Sequence, residues 1–241
     1  MNRRNLEPTR ILDFNSLETR RFADSIGPQD DSPVAFMKSA HAMISREIRP
    51  VYTVHERQPV SGTIAERRGF CSQRLACLEA LARSRQIGTR VRALWLSGRF
   101  WNKRFPVARL FIPHRVLLAW PPFFVSGDWR GIEEIHGPLE ARAADAVPFA
   151  NDGETLFEAV SSTAVDFEGK TRMCSTSCDL SNFVVAQDGV FDARDDLFEQ
   201  LGSFEDTWRG KTFELLYGGR RALDVPRRLR PPANHRNVPR T

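Results

Sequence analysis

The stretch 71–86, Cys-Ser-Gln-Arg-Leu-Ala-Cys-Leu-Glu-Ala-Leu-Ala-Arg-Ser-Arg-Gln, most constrains what this chain can become. It holds no glycine or proline and is built from strong helix formers, so it predicts a helix of four turns or more. Leu75, Ala76, Cys77, Leu78, Ala80, Leu81 and Ala82 make that helix apolar almost all round. Such a helix must sit in the middle of a domain, with other elements covering every side. On this reading Gln73, Arg74, Glu79, Arg83 and Arg85 cover what little is exposed. Gly69 lies just ahead and lets the chain change direction sharply, and Gly88 lies just behind.

After the helix the period changes. Thr89 to Leu96 alternates through Val91, Ala93 and Trp95, which predicts a strand. An aromatic and basic loop over 98–105 follows. Strand character returns over 110–120 and 129–135, separated by a turn region at 121–127. A central helix followed by antiparallel strands is an α+β arrangement, with the helix packed on an antiparallel sheet.

The flanks are less patterned. Residues 1–30 are polar and charged without a sustained period and read as an irregular arm. Ser32-Pro33 supplies a helix cap and a proline at the first helical position, opening a helix over 34–48 that Pro50 stops. A short helical turn is expected over 61–68, and further helices over 155–163 and over 192–200, the latter capped by Asp192 and closed by Gly202. Residues 212–217 read as an edge strand, and 218–241, rich in arginine and proline, as an unstructured tail. The organisation expected is a polar arm (1–30), a core (31–140), an extension packed on the core (141–217) and a basic tail (218–241).

With 241 residues, 41% of them hydrophobic, the chain can bury a core without metals or disulfides. Four cysteines make no disulfide framework. Cys174 and Cys178 form a C-x3-C pair whose only plausible further ligands are His136 and His235, too little for a zinc site, so neither metal nor cofactor is expected. The net charge is +5, and only Lys38, Lys103, Lys170 and Lys211 of the 35 basic residues are lysines. The arginines are interleaved with acids outside the tail, which fits a solvated surface better than a nucleic-acid footprint. No apolar leader opens the chain, and the strongest apolar run, 116–125, is split by Pro121-Pro122, so a cytoplasmic location without membrane contact is the default.

Three groups carry chemistry in chain order. Cys71 stands at the start of the central helix, where the partial positive charge favours thiolate, the nucleophilic form. His114, in Phe111-Ile112-Pro113-His114, opens an apolar strand and suits a general base. An acid from Asp128, Glu133 or Glu134 on the following strand would fix the imidazole. Each alone has an ordinary structural explanation, and their order is what joins them.

Residues 50–136 resemble the core of the transglutaminase-like superfamily. The resemblance runs through Pro50-Val51-Tyr52-Thr53, Pro59-Val60-Ser61, Arg68-Gly69-Phe70-Cys71, the apolar helix, and Ile87-Gly88-Thr89-Arg90-Val91. It implies a papain-like α+β core with Cys71 as nucleophile, His114 as base and Glu133, after Trp129, as the third member, with Asp128 and Glu134 as competitors. It further implies acyl transfer at an amide or thioester carbonyl of a small-molecule or peptide substrate. Water would resolve the acyl-enzyme in a peptidase or amidase, and an amine would in an amide-forming, including a biosynthetic, transferase. Tyr52, Trp95, Trp101 and Trp120 are candidates to line the cleft, and the 99–105 loop is a candidate rim for an acidic group or phosphate. Two other readings stand beside this one: a non-catalytic binding protein on the same fold, and an acidic-surface binder using 220–240. The oligomeric state is left open.

Overall fold

The computed structural model describes residues 2–27, 32–105, 110–143, 149, 151, 155–162, 165–169 and 179–220. At its centre lies α4 (Cys71–Ser84), in which every residue from Ser72 to Arg83 is buried. The helix is therefore central, as its composition demands. Its polar and charged residues are not on an exposed face, however: Gln73, Arg74, Glu79 and Arg83 are all buried. Each has found partners, the only condition under which burial of charge is tolerated. Arg83 donates to the carbonyls of Glu7 at 2.7 Å, Arg4 at 3.1 Å and Asp192 at 2.5 Å, and to Thr89 Oγ1 at 2.8 Å. Glu79 accepts from Arg194 Nε at 2.6 Å, and Arg74 pairs with Glu158 and lies 4.3 Å from the Phe157 ring centre.

These clamps explain why the opening segment is not an irregular arm. Arg83 holds its backbone at residues 4 and 7, Ile11 and Leu12 are buried in the core, and Ser16 caps α1 (Leu17–Asp24). Next comes α2 (Pro33–Glu47), capped by Ser32 as its sequence predicts. The two-residue strands β1 (Arg49–Pro50) and β2 (Arg68–Gly69) pair in parallel around α3 (Val60–Glu66). Arg67, at φ 48°, makes the reversal at the end of α3, and Gly69 serves close packing instead. A Cβ on Gly69 would sit 2.9 Å from Thr63 Cγ2 and 3.1 Å from Gln73 Oε1.

β3 (Val91–Ser97) is the middle strand of an antiparallel sheet, flanked by β4 (Arg115–Trp120) and β7 (Val184–Phe191). β4 leads through Pro121 into β5 (Pro122–Val125), which turns at Ser126-Gly127 and pairs with β6 (Asp128–Gly131). The strand expected over 129–135 is thus cut short: at Gly131 the chain enters the helical turn α5 (Ile132–Ile135), followed by α6 (Leu139–Ala143). α7 (Leu156–Ser162) lies where a helix is predicted, and α8 (Arg194–Leu201) ends at Gly202, φ 71°. Ala193, not Asp192, is the N-cap of α8.

Residues 212–217 are helical rather than strand, within α9 (Trp208–Tyr217). Thr207 caps that helix by accepting from the Gly210 amide at 3.0 Å, and Phe213 and Tyr217, four apart, stack at 5.0 Å. The apparent alternation at Leu215 misleads, because that side chain is 86% exposed. The architecture is mixed helix and small antiparallel sheets, compatible with the expected α+β class. Among the described residues no helix is long and apolar enough to cross a membrane. The tail from 221 onward and the Cys174/Cys178 pair lie outside the described residues.

The Arg194–Glu79 pair gives a stability prediction. Arg194→Ala should cost about 3–5 kcal/mol in urea denaturation, because it strands a buried carboxylate. Arg194→Met combined with Glu79→Leu should recover most of that loss. A single-variant cost below about 1 kcal/mol would mean that water replaces the guanidinium.

Candidate active site

Cys71 occupies the first helical position of α4. Phe70 precedes it as N-cap and offers no side-chain acceptor; instead Gln73 Oε1 accepts from the Phe70 amide at 3.2 Å. First-turn amides without a side-chain cap carry partial positive charge. Phe70, Cys71 and Ser72 form one side of a cleft of about 140 Å³. Its other walls come from 50–54 with Glu56, from the 100–105 segment, from the start of β4, and from Phe204 and Phe213.

The polar groups at this cleft are few. Glu56 lines the same cleft as the thiol and accepts from Ser72 Oγ at 2.5 Å. Ser72 Oγ in turn accepts from Arg194 Nη1 at 2.8 Å, so the site is joined to the buried Arg194–Glu79 pair. Arg104 donates through Nε to Asn151 Oδ1 at 3.1 Å and through Nη1 to the Tyr52 hydroxyl at 3.4 Å, while Asn151 Nδ2 donates to the Phe100 carbonyl at 2.6 Å.

Burial pushes the Cys71 thiol up to about 11, and the negative charge of Glu56 adds to the rise; Arg104 and Arg74 pull it back only partly. The helix terminus therefore does not produce a resting thiolate. Burial likewise raises Glu56 to about 7, against the hydrogen bond from Ser72 and the charge of Arg194. Two anions in one apolar cleft would repel, so the resting pair carries at most one negative charge near neutral pH. Cys77, further along α4, is fully buried and pushed up to about 12.

The structure brings Cys71 to this cleft but does not bring His114 or Glu133 to Cys71. His114 is exposed, one residue beyond the cleft-lining Pro113, and its carbonyl accepts from the Gly98 amide at 2.9 Å. Glu133 is held at the other end of β4, where its Oε2 accepts from Trp120 Nε1 at 2.9 Å. The register explains this. Pro122 pairs with Gly131, so the chain continuing past Gly131 reaches Trp120, while His114 lies six residues, about 20 Å, back along the strand. Glu133 shares a separate recess with Arg90, Arg92, Trp129 and Asp166, where burial raises its carboxyl to about 7. Asp128 is at the β5–β6 hairpin, and Glu134 accepts from the Gly131 amide at 2.9 Å. Among the described residues no histidine lines the Cys71 cleft.

Of the aromatic candidates, Tyr52 and Trp101 line the cleft, together with Arg104 and Phe105 of the anticipated rim loop. Trp95 instead donates to Asp188 at 2.6 Å, and Trp120 serves Glu133. The group that sequence reasoning missed is Glu56. It sits in a polar turn of unremarkable composition, and only the three-dimensional packing of that turn against the start of α4 marks it.

No family model matches this chain, and no curated protein does. A crystal structure from Cytophaga hutchinsonii, provisionally described as a cysteine protease, superposes on 52% of the chain at 17% identity with a TM-score of 0.39. The chain spans only 38% of the length of that protein, and a likeness this loose assigns neither fold family nor activity.

The electrostatics predict how the thiol reacts. At pH 7 iodoacetamide should alkylate Cys71 more slowly than free cysteine, with a midpoint near 11. Removing the neighbouring negative charge by Glu56→Gln should lower that midpoint and speed the reaction. A wild-type midpoint below the ordinary thiol value would contradict this electrostatic picture.

Proposed function

We propose that this protein is a cysteine-dependent acyl-transfer enzyme acting on an amide or thioester carbonyl, with Cys71 as nucleophile. One observation carries the proposal: a thiol at a helix N-terminus, a carboxyl group poised near neutrality and a guanidinium group meet at one mostly apolar cleft. A neutral thiol must lose its proton as it attacks, and Glu56 in its carboxylate form is the acceptor in the cleft. The S–C bond forms as the proton passes from sulfur to Glu56. The developing oxyanion is stabilised by the first-turn amides of α4 and by the charge of Arg104. The tetrahedral adduct then expels an amine or thiol, which takes the proton back from Glu56 and leaves a thioester on Cys71. Water or an amine then attacks the thioester carbonyl, giving its proton to Glu56. The C–S bond breaks and Glu56 returns that proton to the departing Cys71 sulfur, which restores the thiol.

Proton acceptance needs the carboxylate, so activity should rise as pH passes through about 7. The competing assignment keeps His114 as base, with its ring turned inward past Pro113, and Glu133 as a more distant member. Turnover of small acyl thioesters separates the two. Cys71→Ser should lower kcat/KM by at least about a thousandfold, and Glu56→Gln by about a hundredfold while flattening the rise near pH 7. His114→Gln should change it less than about threefold, in line with a side chain that meets no reacting atom. Loss of activity in His114→Gln with Glu56→Gln unaffected would transfer the base role to His114.

The second reading, a binding protein without chemistry, is favoured by the high thiol pKa and the absence of histidine from the cleft among the described residues. It predicts no acyl transfer from any thioester and unchanged ligand binding in Cys71→Ser.

A further inference from the structure

We infer that the acyl group accepted by the Cys71 cleft is compact and apolar, about the size of a benzoyl ring, and not a run of peptide. This rests on the acyl-transfer reading for its chemistry, but its size and polarity arguments are independent of that reading. The cleft measures about 140 Å³. An engineered apolar cavity of about 150 Å³ lined by Leu, Ile and Phe holds one benzene molecule. Val54, Phe100, Trp101, Phe105, Leu118 and Phe213 supply the same kind of surface here.

The aromatic walls of the cleft pack against one another. Phe105 meets Tyr52 edge-on at 4.7 Å and Phe213 at 5.1 Å, and Phe100 meets Trp101 edge-on at 4.8 Å. Aromatic pairs in this geometry resist repacking more than a methionine-lined surface would.

Polarity argues in the same direction. Each residue of a bound peptide brings an N–H and a C=O that lose water and need replacement partners. The amide of Asn151 is already engaged at both ends, by Arg104 and by the Phe100 carbonyl. Thr155 Oγ1 is engaged with Glu158 and Arg74. Glu56 is engaged as well, with Ser72, and Arg104 with Asn151 and Tyr52, while Thr53 Oγ1 accepts from the His55 amide. The two charged groups act on the thiol, so the ligand should be polar at its carbonyl and apolar beyond it.

The test uses the full chain and three N-acetylcysteamine thioesters, carrying acetyl, benzoyl and acetyl-alanyl-glycyl groups. Benzoyl should exceed both others in kcat/KM by about tenfold or more, the scale on which an apolar pocket discriminates. Val116→Phe, which narrows the recess, should bring the benzoyl-to-acetyl ratio toward one. In parallel, benzamide but not acetamide should show saturation transfer to the Cys71→Ser protein by NMR. Benzamide binding without turnover of any thioester would support the compact apolar recess while removing the acyl-transfer reading. Equal rates for the three thioesters, a preference for the peptidyl one, or failure of benzamide to bind would overturn the inference.

Discussion

The guanidinium of Arg194 is the contact on which core and site both depend. Fully buried at the start of α8, it donates to Glu79 on α4, to the Ala119 carbonyl on β4 at 3.3 Å, and to Ser72, which holds Glu56 in the cleft. A buried charge of this kind is tolerated only when its partners are complete, so the network favours one arrangement of α8 against α4 and β4. It joins residues 115 apart in sequence, and through Ser72 it holds Glu56, the one carboxyl group lining the Cys71 cleft among the described residues. Arg83 does the same at the other end of α4, gathering backbone carbonyls from the N-terminal segment and from the residue preceding the α8 cap.

The same low-polarity surroundings that stabilise this packing determine what chemistry is available. Burial raises the thiol and the carboxyl together, and each disfavours ionisation of the other. The resting thiol–carboxyl pair therefore carries at most one negative charge, unlike a thiolate–imidazolium pair. On the proposed reading, reactivity comes from moving a proton during attack rather than from a standing anion. In the proposed reaction, the mostly apolar lining would make the Arg104 charge and the helix amides more effective on a forming oxyanion.

Much of the framework was legible from local pattern. The α4 helix, the Ser32-capped helix and the β3 strand follow from period, composition and capping, which are properties of neighbouring residues. What escaped depended on distant partners. Arg74, Glu79 and Arg83 look like solvated positions until Glu158, Arg194 and the N-terminal carbonyls are in place. The burial of Ile11 and Leu12 has the same cause. Residues 212–217 show a short alternation compatible with strand, but the Thr207 cap and the Phe213–Tyr217 spacing make them helical. For the site, Cys71 was readable because its position at the helix start is local. Glu133 was implied by the family resemblance as the acid after Trp129, with Asp128 and Glu134 as competitors. That resemblance does not reveal that Gly131 ends the strand and sets Glu133 beside Trp120. Glu56 could not be singled out at all, since nothing in its turn differs from an ordinary surface turn.

The most direct measurement is the location of a covalent acyl adduct. Protein quenched during turnover of an acyl thioester, digested and mapped by mass spectrometry, should carry the acyl group on the peptide containing Cys71, and hydroxylamine should remove it. Cys77, buried on the same helix, should remain unmodified and serves as an internal control. Turnover without any adduct on Cys71, or an acyl group found on another side chain instead, would contradict the account.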